Sequence, residues 1–418
     1  MTEGILPCLR QVNRRARIIA AIDDASGLMQ GLPPSGDRVV GVHNWSTYPH
    51  LRWGFLHTRE VVPTARIERG TGPVLPLDPD LRDVAGITFS WAGERLTVAD
   101  MLERTSTDGF LVLRGGRVAM EHYGAGMTAT TTHLLQSVSK SIAGTVAGVL
   151  AGRGLVDPDA PVTAYIDELA GTSFEGATVR HVLDMRTGTA YDETYDDPAS
   201  DVFLTEVLAG WRPAAGEPAA AHVYEQITRL GNARPHGQVF DYRSILTELL
   251  AWVLERASGR RYPELVSETL WSRIGAEQDA DITIRHGVAL PDGGVCATLR
   301  DLGRFGLMHL REGRVGDAQV VPRDWVLDTR HGDDQCIAAY ARAEDIEVHA
   351  GEMYRSQFWV LERDAVYAAL GIHGQMVWIN VPADIVCVKL STWPAPTDED
   401  LEGCCLAAFA AIAHALGG

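Results

Sequence analysis

The chain has 418 residues, of which 46% are hydrophobic and 22% charged, and its formal net charge is −18. This length supports a large buried core divided over two or three domains. The acidic charge would repel phosphate backbones and anionic lipids, which argues against nucleic-acid and membrane partners.

The first part of the sequence, residues 1–105, mixes short helical pieces with proline- and glycine-rich connections such as GLPPSGD and GTGPVLPLDPD. This pattern predicts an N-terminal extension packed on the main body. The N-terminus has arginines but lacks the apolar run and cleavage site of a signal peptide, and no later apolar stretch is long enough to span a bilayer. We therefore expect a cytoplasmic protein.

A hairpin and a buried helix are predicted next. The segment 108–123 has two β-rich runs around Arg114, Gly115 and Gly116, which is typical of a hairpin. The following segment, LLQSVSKSIAGTVAGVLAGRGLV, has small and apolar residues on most faces. It predicts a buried helix that ends near Gly152.

The start of this helix carries the pattern Ser137-Val138-Ser139-Lys140. Positions i and i+3 share a helix face, so the Lys140 amine should lie beside the Ser137 hydroxyl. Burial and the positive end of the helix dipole disfavour an ammonium ion, which predicts a lowered pKa for Lys140 and a serine nucleophile activated by a neutral amine. The alternative is an N-cap serine followed by a surface lysine.

The scarcity of lysine favours the chemical interpretation. Of the 37 basic residues only Lys140 and Lys389 are lysines, and the rest are arginines. Arginine keeps its proton in proteins, whereas a desolvated lysine can lose it and act as a base. Lys389 lies in the alternating segment VCVKLS, where we expect an edge position or an amine extended to the surface.

Residues from about 160 to 275 have mostly helical patterning, and the segment YRSILTELLAWVLERASG predicts an amphipathic helix. Tyr242 precedes this helix. A tyrosine there could project its hydroxyl into a cleft and relay protons, and the alternative is a half-buried structural tyrosine.

The C-terminal part predicts a strand pair, MVWINV and DIVCVKLS, and a last helix over about 398–416. Glycines flank His373 before the first strand, which would let a substrate approach the backbone, although a lone histidine there is more often structural. Strands at both ends with helices between them predict an α/β (α+β) body with a helical insertion. We expect the α/β domain at 106–135 and 285–418 and the mainly helical domain at 136–284.

The cysteines predict neither disulfides nor a metal site. They are scattered, without CxxC spacing, and a cytoplasmic protein would keep them reduced. The six are Cys8, Cys296, Cys336, Cys387, Cys404 and Cys405.

Three features, taken in this order and spacing, carry a family resemblance: the pattern Ser137-Val138-Ser139-Lys140, Tyr242 before its helix, and His373 between glycines. They resemble the motifs of the class C β-lactamase-like serine hydrolases, and within them those of the 6-aminohexanoate-dimer hydrolases and related carboxylesterases. The resemblance extends from about Trp45 to Trp393 and includes HLLQSVSKSIAGTV, LVDPDAPVTAYIDELAG and GIHGQMVWINVPADIVCVKLSTWP. It implies a β-lactamase/transpeptidase-like fold, in which an antiparallel sheet flanked by helices and an α-helical domain enclose the active site.

The resemblance also implies the catalytic residues. The nucleophile falls on Ser137, its lysine on Lys140 and the catalytic tyrosine on Tyr242. The oxyanion hole would consist of the backbone N–H groups of Ser137 and Ile372.

The substrate-binding residues implied by the resemblance surround these groups. Tyr195, in DETYDDPAS, would close over the substrate, and Ser244 stands in place of the asparagine of the lactamase YxN motif. Trp359 would line the cleft, and His373 and Gly374 lie at the strand entrance that forms the oxyanion hole.

Two departures from the family pattern narrow the range of substrates that we expect. His373-Gly374-Gln375 replaces the lactamase KTG motif, so the lysine that would pair with a penicillin-type carboxylate is missing. We therefore do not expect β-lactam hydrolysis or cell-wall peptidase activity. The loops around Glu206 and Asp292, where acidic groups could bind a substrate amine, also differ from the relatives, which leaves activity on nylon-like amides open.

The predicted function is hydrolysis of a small ester or amide through an acyl-enzyme on Ser137, without a metal or organic cofactor. Lys140 and Tyr242 would remove the serine proton, and Tyr242 would protonate the leaving group. One alternative is a transacylase of the same fold that transfers the acyl group to an amine or alcohol. The other is a catalytically silent ligand-binding homologue, which the joint retention of Ser137, Lys140 and Tyr242 disfavours. The sequence leaves open whether the chain forms a homodimer.

Overall fold

The computed structural model describes residues 27–195, 197–214, 216, 218–343 and 351–417. Cys8 and the rest of the N-terminal 26 residues lie outside the described residues.

The strands, in chain order, are β1 (Thr64–Ile67), β2 (Thr88–Trp91), β3 (Glu94–Thr97), β4 (Thr107–Arg114), β5 (Arg117–Tyr123), β6 (His133–Leu134), β7 (Ala280–Arg285), β8 (Val288–Ala289), β9 (Val295–Ala297), β10 (Arg314–Val315), β11 (Ala318–Gln319), β12 (Met353–Arg355), β13 (Phe358–Glu362), β14 (Val366–Gly371), β15 (Gln375–Asn380) and β16 (Ile385–Ser391).

The α-helices are α1 (Leu51–Gly54), α2 (Thr58–Val61), α3 (Val98–Arg104), α4 (Val138–Gly152), α5 (Val179–Leu183), α6 (Asp201–Ala209), α7 (Val223–Arg229), α8 (Ile245–Ser258), α9 (Tyr262–Val266), α10 (Leu299–Leu310), α11 (Arg323–His331), α12 (Asp334–Tyr340) and α13 (Glu399–Leu416). None of the helices in the described part of the chain is both long and apolar enough to cross a membrane.

The main sheet is antiparallel and has the strand order β12-β13-β14-β15-β16-β4-β5. The predicted hairpin at 108–123 is confirmed as β4 and β5, and the predicted C-terminal strand pair as β15 and β16. Side chains alternate between the two faces of β4, because successive Cβ atoms point to opposite sides of a strand. Phe110 stacks on Phe409 of α13, whereas Leu111 packs against Gly303 of α10, so helices cover both faces.

A smaller sheet leads the chain into helix α4. Its strand order is β1-β7-β9-β6, and β8 pairs with β7. Strand β1 comes from the N-terminal part of the chain and pairs with β7 from Thr64 opposite Thr283 to Ile67 opposite Ala280. Strand β6 ends at Leu134, three residues before Ser137. The N-terminal segment thus completes the sheet that fixes the start of α4.

Helix α4 is buried on all sides from Val138 to Leu150, as predicted, and ends at Gly152. Its small residues permit close packing against the neighbouring elements. A Cβ at Gly144 would lie 2.2 Å from the backbone oxygen of Ser356, so a larger residue cannot be accommodated there without moving the backbone. The helix that carries the Ser137 and Lys140 pair is therefore buried and closely packed against its neighbours.

Two expectations from the sequence are wrong. Helix α8 is not amphipathic over its first ten residues, which are all buried, because α4, α5, α7 and α9 pack around it. Lys389 is neither at a sheet edge nor at the surface, since β16 lies between β15 and β4. Its amine donates to the backbone oxygen of Thr105 and to Ser391, and burial lowers its pKa.

Candidate active site

Ser137 occupies the N-cap position of α4, but its hydroxyl does not cap the helix. Instead, Lys140 Nζ donates a hydrogen bond of 2.9 Å to Ser137 Oγ. The preceding residue, Gln136, has a φ of +48°, in the left-handed region that L-residues rarely adopt. Backbone strain of this kind is frequent at functional sites, where the surrounding structure over-determines the conformation.

Lys140 is buried, with a relative exposure of 1%. Besides Ser137, its amine donates to the backbone oxygen of Asp292 at 2.9 Å and lies 5.3 Å from the centroid of the Tyr242 ring. The alternative interpretation, a capping serine followed by a surface lysine, is therefore wrong.

The predicted direction of the Lys140 pKa is also wrong. Burial disfavours the ammonium ion, as expected, but Tyr242 in its ionised form and the Asp292 and Glu193 carboxylates outweigh burial and raise the pKa of Lys140. The sequence indicates that Lys140 is buried, whereas these acidic groups come from distant segments that only the fold brings to the amine. The raised pKa favours the ammonium form of Lys140.

Tyr242 lies against both members of this pair. Burial raises the pKa of Tyr242, and the nearby Lys140 ammonium and a hydrogen bond with Ser137 oppose this rise without cancelling it. Its ring stacks on Trp359 at a centroid distance of 5.4 Å and meets the ring of Tyr354 edge-on at 5.9 Å. The three aromatic rings pack against one another, and a cleft-lining role for Trp359 stays a prediction.

Glu193 connects two of the predicted substrate-binding residues and was not predicted from the sequence. Its carboxylate accepts hydrogen bonds from the Ser244 N–H at 2.9 Å, from the Ser244 hydroxyl and from the Tyr195 hydroxyl at 3.0 Å. Burial raises the pKa of Glu193, and the Lys140 ammonium opposes the rise. Glu193 lies in an acid-rich loop, where the sequence gives no signal that distinguishes the buried carboxylate from its exposed neighbours.

The end of β14 passes directly beside Ser137. A Cβ at Gly371 would lie 2.9 Å from the backbone nitrogen of Ser137 and 2.8 Å from the backbone oxygen of Leu135, so only glycine fits. The chain then makes a single 3₁₀ turn, Ile372–Gly374, before β15 begins. This close approach brings the Ile372 segment next to the N-terminus of α4.

His373 holds this turn in place. The residue is buried, its φ is +60°, and Nδ1 lies 2.7 Å from the backbone oxygen of Trp393. Phe55 from the N-terminal segment meets the imidazole edge-on at 5.5 Å. These contacts favour the structural interpretation of His373, and Gly374 packs against the Trp393 ring in the same turn.

The two acidic residues that the sequence places in loops have different surroundings. For Glu206 the expected loop is wrong, because this residue lies in α6, whereas Asp292 lies in the loop between β8 and β9. Glu206 forms an ion pair with Arg212, and burial raises its pKa. Asp292 contributes its backbone oxygen to Lys140, and its N–H donates to Glu248 Oε1 at 3.0 Å. Glu206 is thus already paired with a cation of this chain.

An antiparallel sheet covered by helices, with a serine and a lysine on the first turn of a buried helix, defines the β-lactamase type of serine hydrolase. The profile of the Beta-lactamase family matches residues 95–403, and the chain belongs to this family. It is a serine hydrolase with the β-lactamase/transpeptidase-like fold that the motifs imply.

The chain is also similar to particular members of this group. It is 40% identical over 372 residues to the 6-aminohexanoate-dimer hydrolase of Paenarthrobacter ureafaciens, covering 86% of this chain and 90% of that protein. The solved structure of a proposed 6-aminohexanoate-dimer hydrolase from Bacillus anthracis is 25% identical and has a TM-score of 0.83, over 92% of this chain and 98% of the other. EstCE1, a hydrolase with promiscuous acyltransferase activity, shares the fold at 15% identity and a TM-score of 0.58, over 77% and 98% of the two chains. The resemblance inferred from the motifs is confirmed.

Proposed function

We propose that the protein hydrolyses small ester or amide bonds through an acyl-enzyme on Ser137, with Lys140 and Tyr242 as the proton-transfer pair. The observation that carries this proposal is the 2.9 Å hydrogen bond between a buried lysine amine and the serine oxygen, with a tyrosine against both. The similarity to an amide-dimer hydrolase over most of the chain supports the same reaction class.

The pKa values of Lys140 and Tyr242 are both raised, which supports one route for the serine proton. With Lys140 and Tyr242 both protonated, neither group can act as a base, so the reactive form is the pair that has lost one proton. In this form the Lys140 ammonium donates to the serine oxygen while the Tyr242 phenolate accepts the serine proton. This division of roles replaces the neutral amine expected from the sequence.

The reaction then follows in two balanced halves. The Ser137 oxygen bonds to the carbonyl carbon, its proton moves to Tyr242, and the carbonyl electron pair becomes an oxyanion. The oxyanion collapses, the bond to the leaving group breaks, and Tyr242 returns the proton to that group. Water then attacks the acyl carbon in the same way and releases the acid and free Ser137.

The oxyanion would be bound by the backbone N–H groups of Ser137 and Ile372. The first lies at the N-terminus of α4, where the helix dipole favours negative charge. The packing of Gly371 on the Ser137 nitrogen brings the second segment to the same place. Each such donor stabilises the transition state by roughly 3 kcal/mol in acyl-transfer enzymes.

The substrate range is tested with p-nitrophenyl esters of increasing acyl length, a linear amide dimer and a β-lactam, using the wild-type protein and Ser137→Ala. We expect Ser137-dependent release of acid from a short ester or the amide, and no turnover of the β-lactam. A competing amine in the same assay distinguishes hydrolysis from acyl transfer, since a transacylase forms the new amide as its main product. Turnover that survives Ser137→Ala would contradict the proposal.

A further inference from the structure

Two buried carboxyl groups, those of Glu248 and Asp292, are linked to Lys140 through the Asp292 backbone. Glu248 is the fourth residue of α8 and has a relative exposure of 0%, and Asp292 lies in the loop between β8 and β9. The Asp292 N–H donates to Glu248 Oε1 at 3.0 Å, and the Asp292 backbone oxygen accepts from Lys140 Nζ at 2.9 Å. A short chain of contacts therefore connects Glu248 to the amine.

Each of these carboxyl groups also has a buried oxygen, Glu248 Oε2 and Asp292 Oδ1, without a hydrogen-bond partner among the residues that the structure describes. Carboxylate oxygens only accept hydrogen bonds, so the two groups can satisfy each other only if one of them carries a proton. Two carboxylates this close cannot both be ionised without strong repulsion.

The electrostatic surroundings assign the proton to Glu248. Burial and the neighbouring Asp292 carboxylate raise the pKa of Glu248 well above its usual range. Burial also raises the pKa of Asp292, but there the Lys140 ammonium and the hydrogen bond from Glu248 oppose the rise. These opposing effects favour the proton on Glu248 over Asp292.

We propose that Glu248 and Asp292 share one proton and act together as a positioning unit for Lys140. Glu248 holds the Asp292 peptide so that its backbone oxygen binds the amine, and the pair presents a single negative charge to the ammonium. This inference rests on the proposed function, because it concerns the residue that adjusts the proton-transfer pair. Neither group touches the reacting atoms, so both are positioning residues.

The single charge has a specific consequence for the reaction. If Glu248 and Asp292 together carried no charge, they would stabilise the Lys140 ammonium less. Lys140 and Tyr242 would then lose their first proton at lower pH. A doubly charged pair would have the opposite effect. The other titratable groups that act on Glu248 or Asp292 are Glu193, Glu206, Tyr191, Tyr224 and Tyr262.

Two isosteric variants separate the hydrogen bonds from the charge. In Glu248→Gln the amide can still accept from the Asp292 N–H and donate to the Asp292 carboxylate, so the charge of the pair is kept. In the double variant Glu248→Gln/Asp292→Asn the hydrogen bonds can still form but the charge is gone. Glu255→Gln is the matched control, because Glu255 lies on the same helix, has a raised pKa and contacts Tyr224 and Tyr262 away from Lys140.

The readout is the pH dependence of kcat/KM. We expect the rise of kcat/KM with pH to move to lower pH in the double variant, by about one pH unit, and to stay in place in Glu248→Gln and Glu255→Gln. In Glu248→Leu, which can neither accept nor donate, kcat should fall about tenfold or more while KM changes little. Identical profiles in the wild type and the double variant, or wild-type kcat in Glu248→Leu, would overturn the proposal.

A second measurement does not depend on turnover and so separates this inference from the proposed function. The infrared band of a protonated carboxyl should be lost on going from the wild type to Glu248→Gln at neutral pH. Glu255→Gln gives the background from a half-buried carboxyl on the same helix. Absence of the Glu248 band would overturn the shared proton even if Ser137 is acylated, whereas a protein that shows the band but cannot acylate Ser137 would contradict only the proposed function.

Discussion

Gly371 lies so close to Ser137 that a Cβ at position 371 would be 2.9 Å from the backbone nitrogen of Ser137. The end of β14 and the start of α4 are therefore in direct backbone contact. This contact supports the proposed oxyanion hole built from the N–H groups of Ser137 and Ile372.

Gly371→Ala tests this contact. The added methyl group must push β14 away from Ser137, and we expect kcat to fall by about 100-fold, as when one oxyanion donor is displaced. Gly36→Ala is the control, because a Cβ at Gly36 meets nothing within 4 Å. A Gly371→Ala enzyme with unchanged kcat would show that the strand end takes no part in stabilising the oxyanion.

Lys140→Arg tests the need for a removable proton. Arginine keeps a positive charge but cannot give up its proton, and the longer side chain must fit a site that is 1% exposed. We expect turnover to be abolished in esterase assays, with thermal unfolding measured alongside to verify that the variant folds. Near-normal activity would refute the assignment of Lys140 to the proton-transfer pair.

Tyr242→Phe tests the acceptor of the serine proton. The change keeps the ring that stacks on Trp359 and removes only the hydroxyl, so the fold should be intact while kcat falls by about 10²–10⁴-fold. Tyr367→Phe is a suitable control, since the Tyr367 hydroxyl is buried in β14 with no hydrogen-bond partner among the described residues. Equal activity of the two variants would exclude Tyr242 from proton transfer.

The pH dependence follows from the raised pKa values of Lys140 and Tyr242. The reactive form has lost one proton from this pair, so its population increases as the pH rises towards the raised pKa. We therefore expect kcat/KM to increase with pH above neutrality, measured with an ester whose own hydrolysis is subtracted. A profile that is flat from about pH 6 to about pH 9 would contradict the raised values.

The sequence predicts those parts of the fold and site that depend on local patterns. The 3.6-residue period places Lys140 beside Ser137, and the structure gives the predicted contact between amine and hydroxyl. Two β-rich runs around adjacent glycines, Gly115 and Gly116, predict a hairpin that is present as β4 and β5. In both cases the interacting residues are neighbours in the chain, so spacing alone determines which side chains meet.

Long-range contacts explain what the sequence does not predict. The pKa of Lys140 rises because carboxylates from the Glu193 and Asp292 loops approach it, and no local pattern shows that they meet at one amine. Glu248 has the spacing of a polar residue on an amphipathic helix, but α8 is surrounded by other helices and the carboxyl is buried. A single charged residue in a buried segment has no local signature until its partners are known.

The central claim is that Ser137 is the residue that becomes acylated. The most direct test is to treat the folded protein with a fluorophosphonate probe and to map the adduct by peptide mass spectrometry, with Lys140→Arg treated in parallel. The account predicts a single adduct on Ser137, with none on the neighbouring Ser139 or Ser141, and much slower labelling in Lys140→Arg. An unmodified Ser137 in active protein, or an adduct on another residue that accounts for the loss of activity, would contradict it.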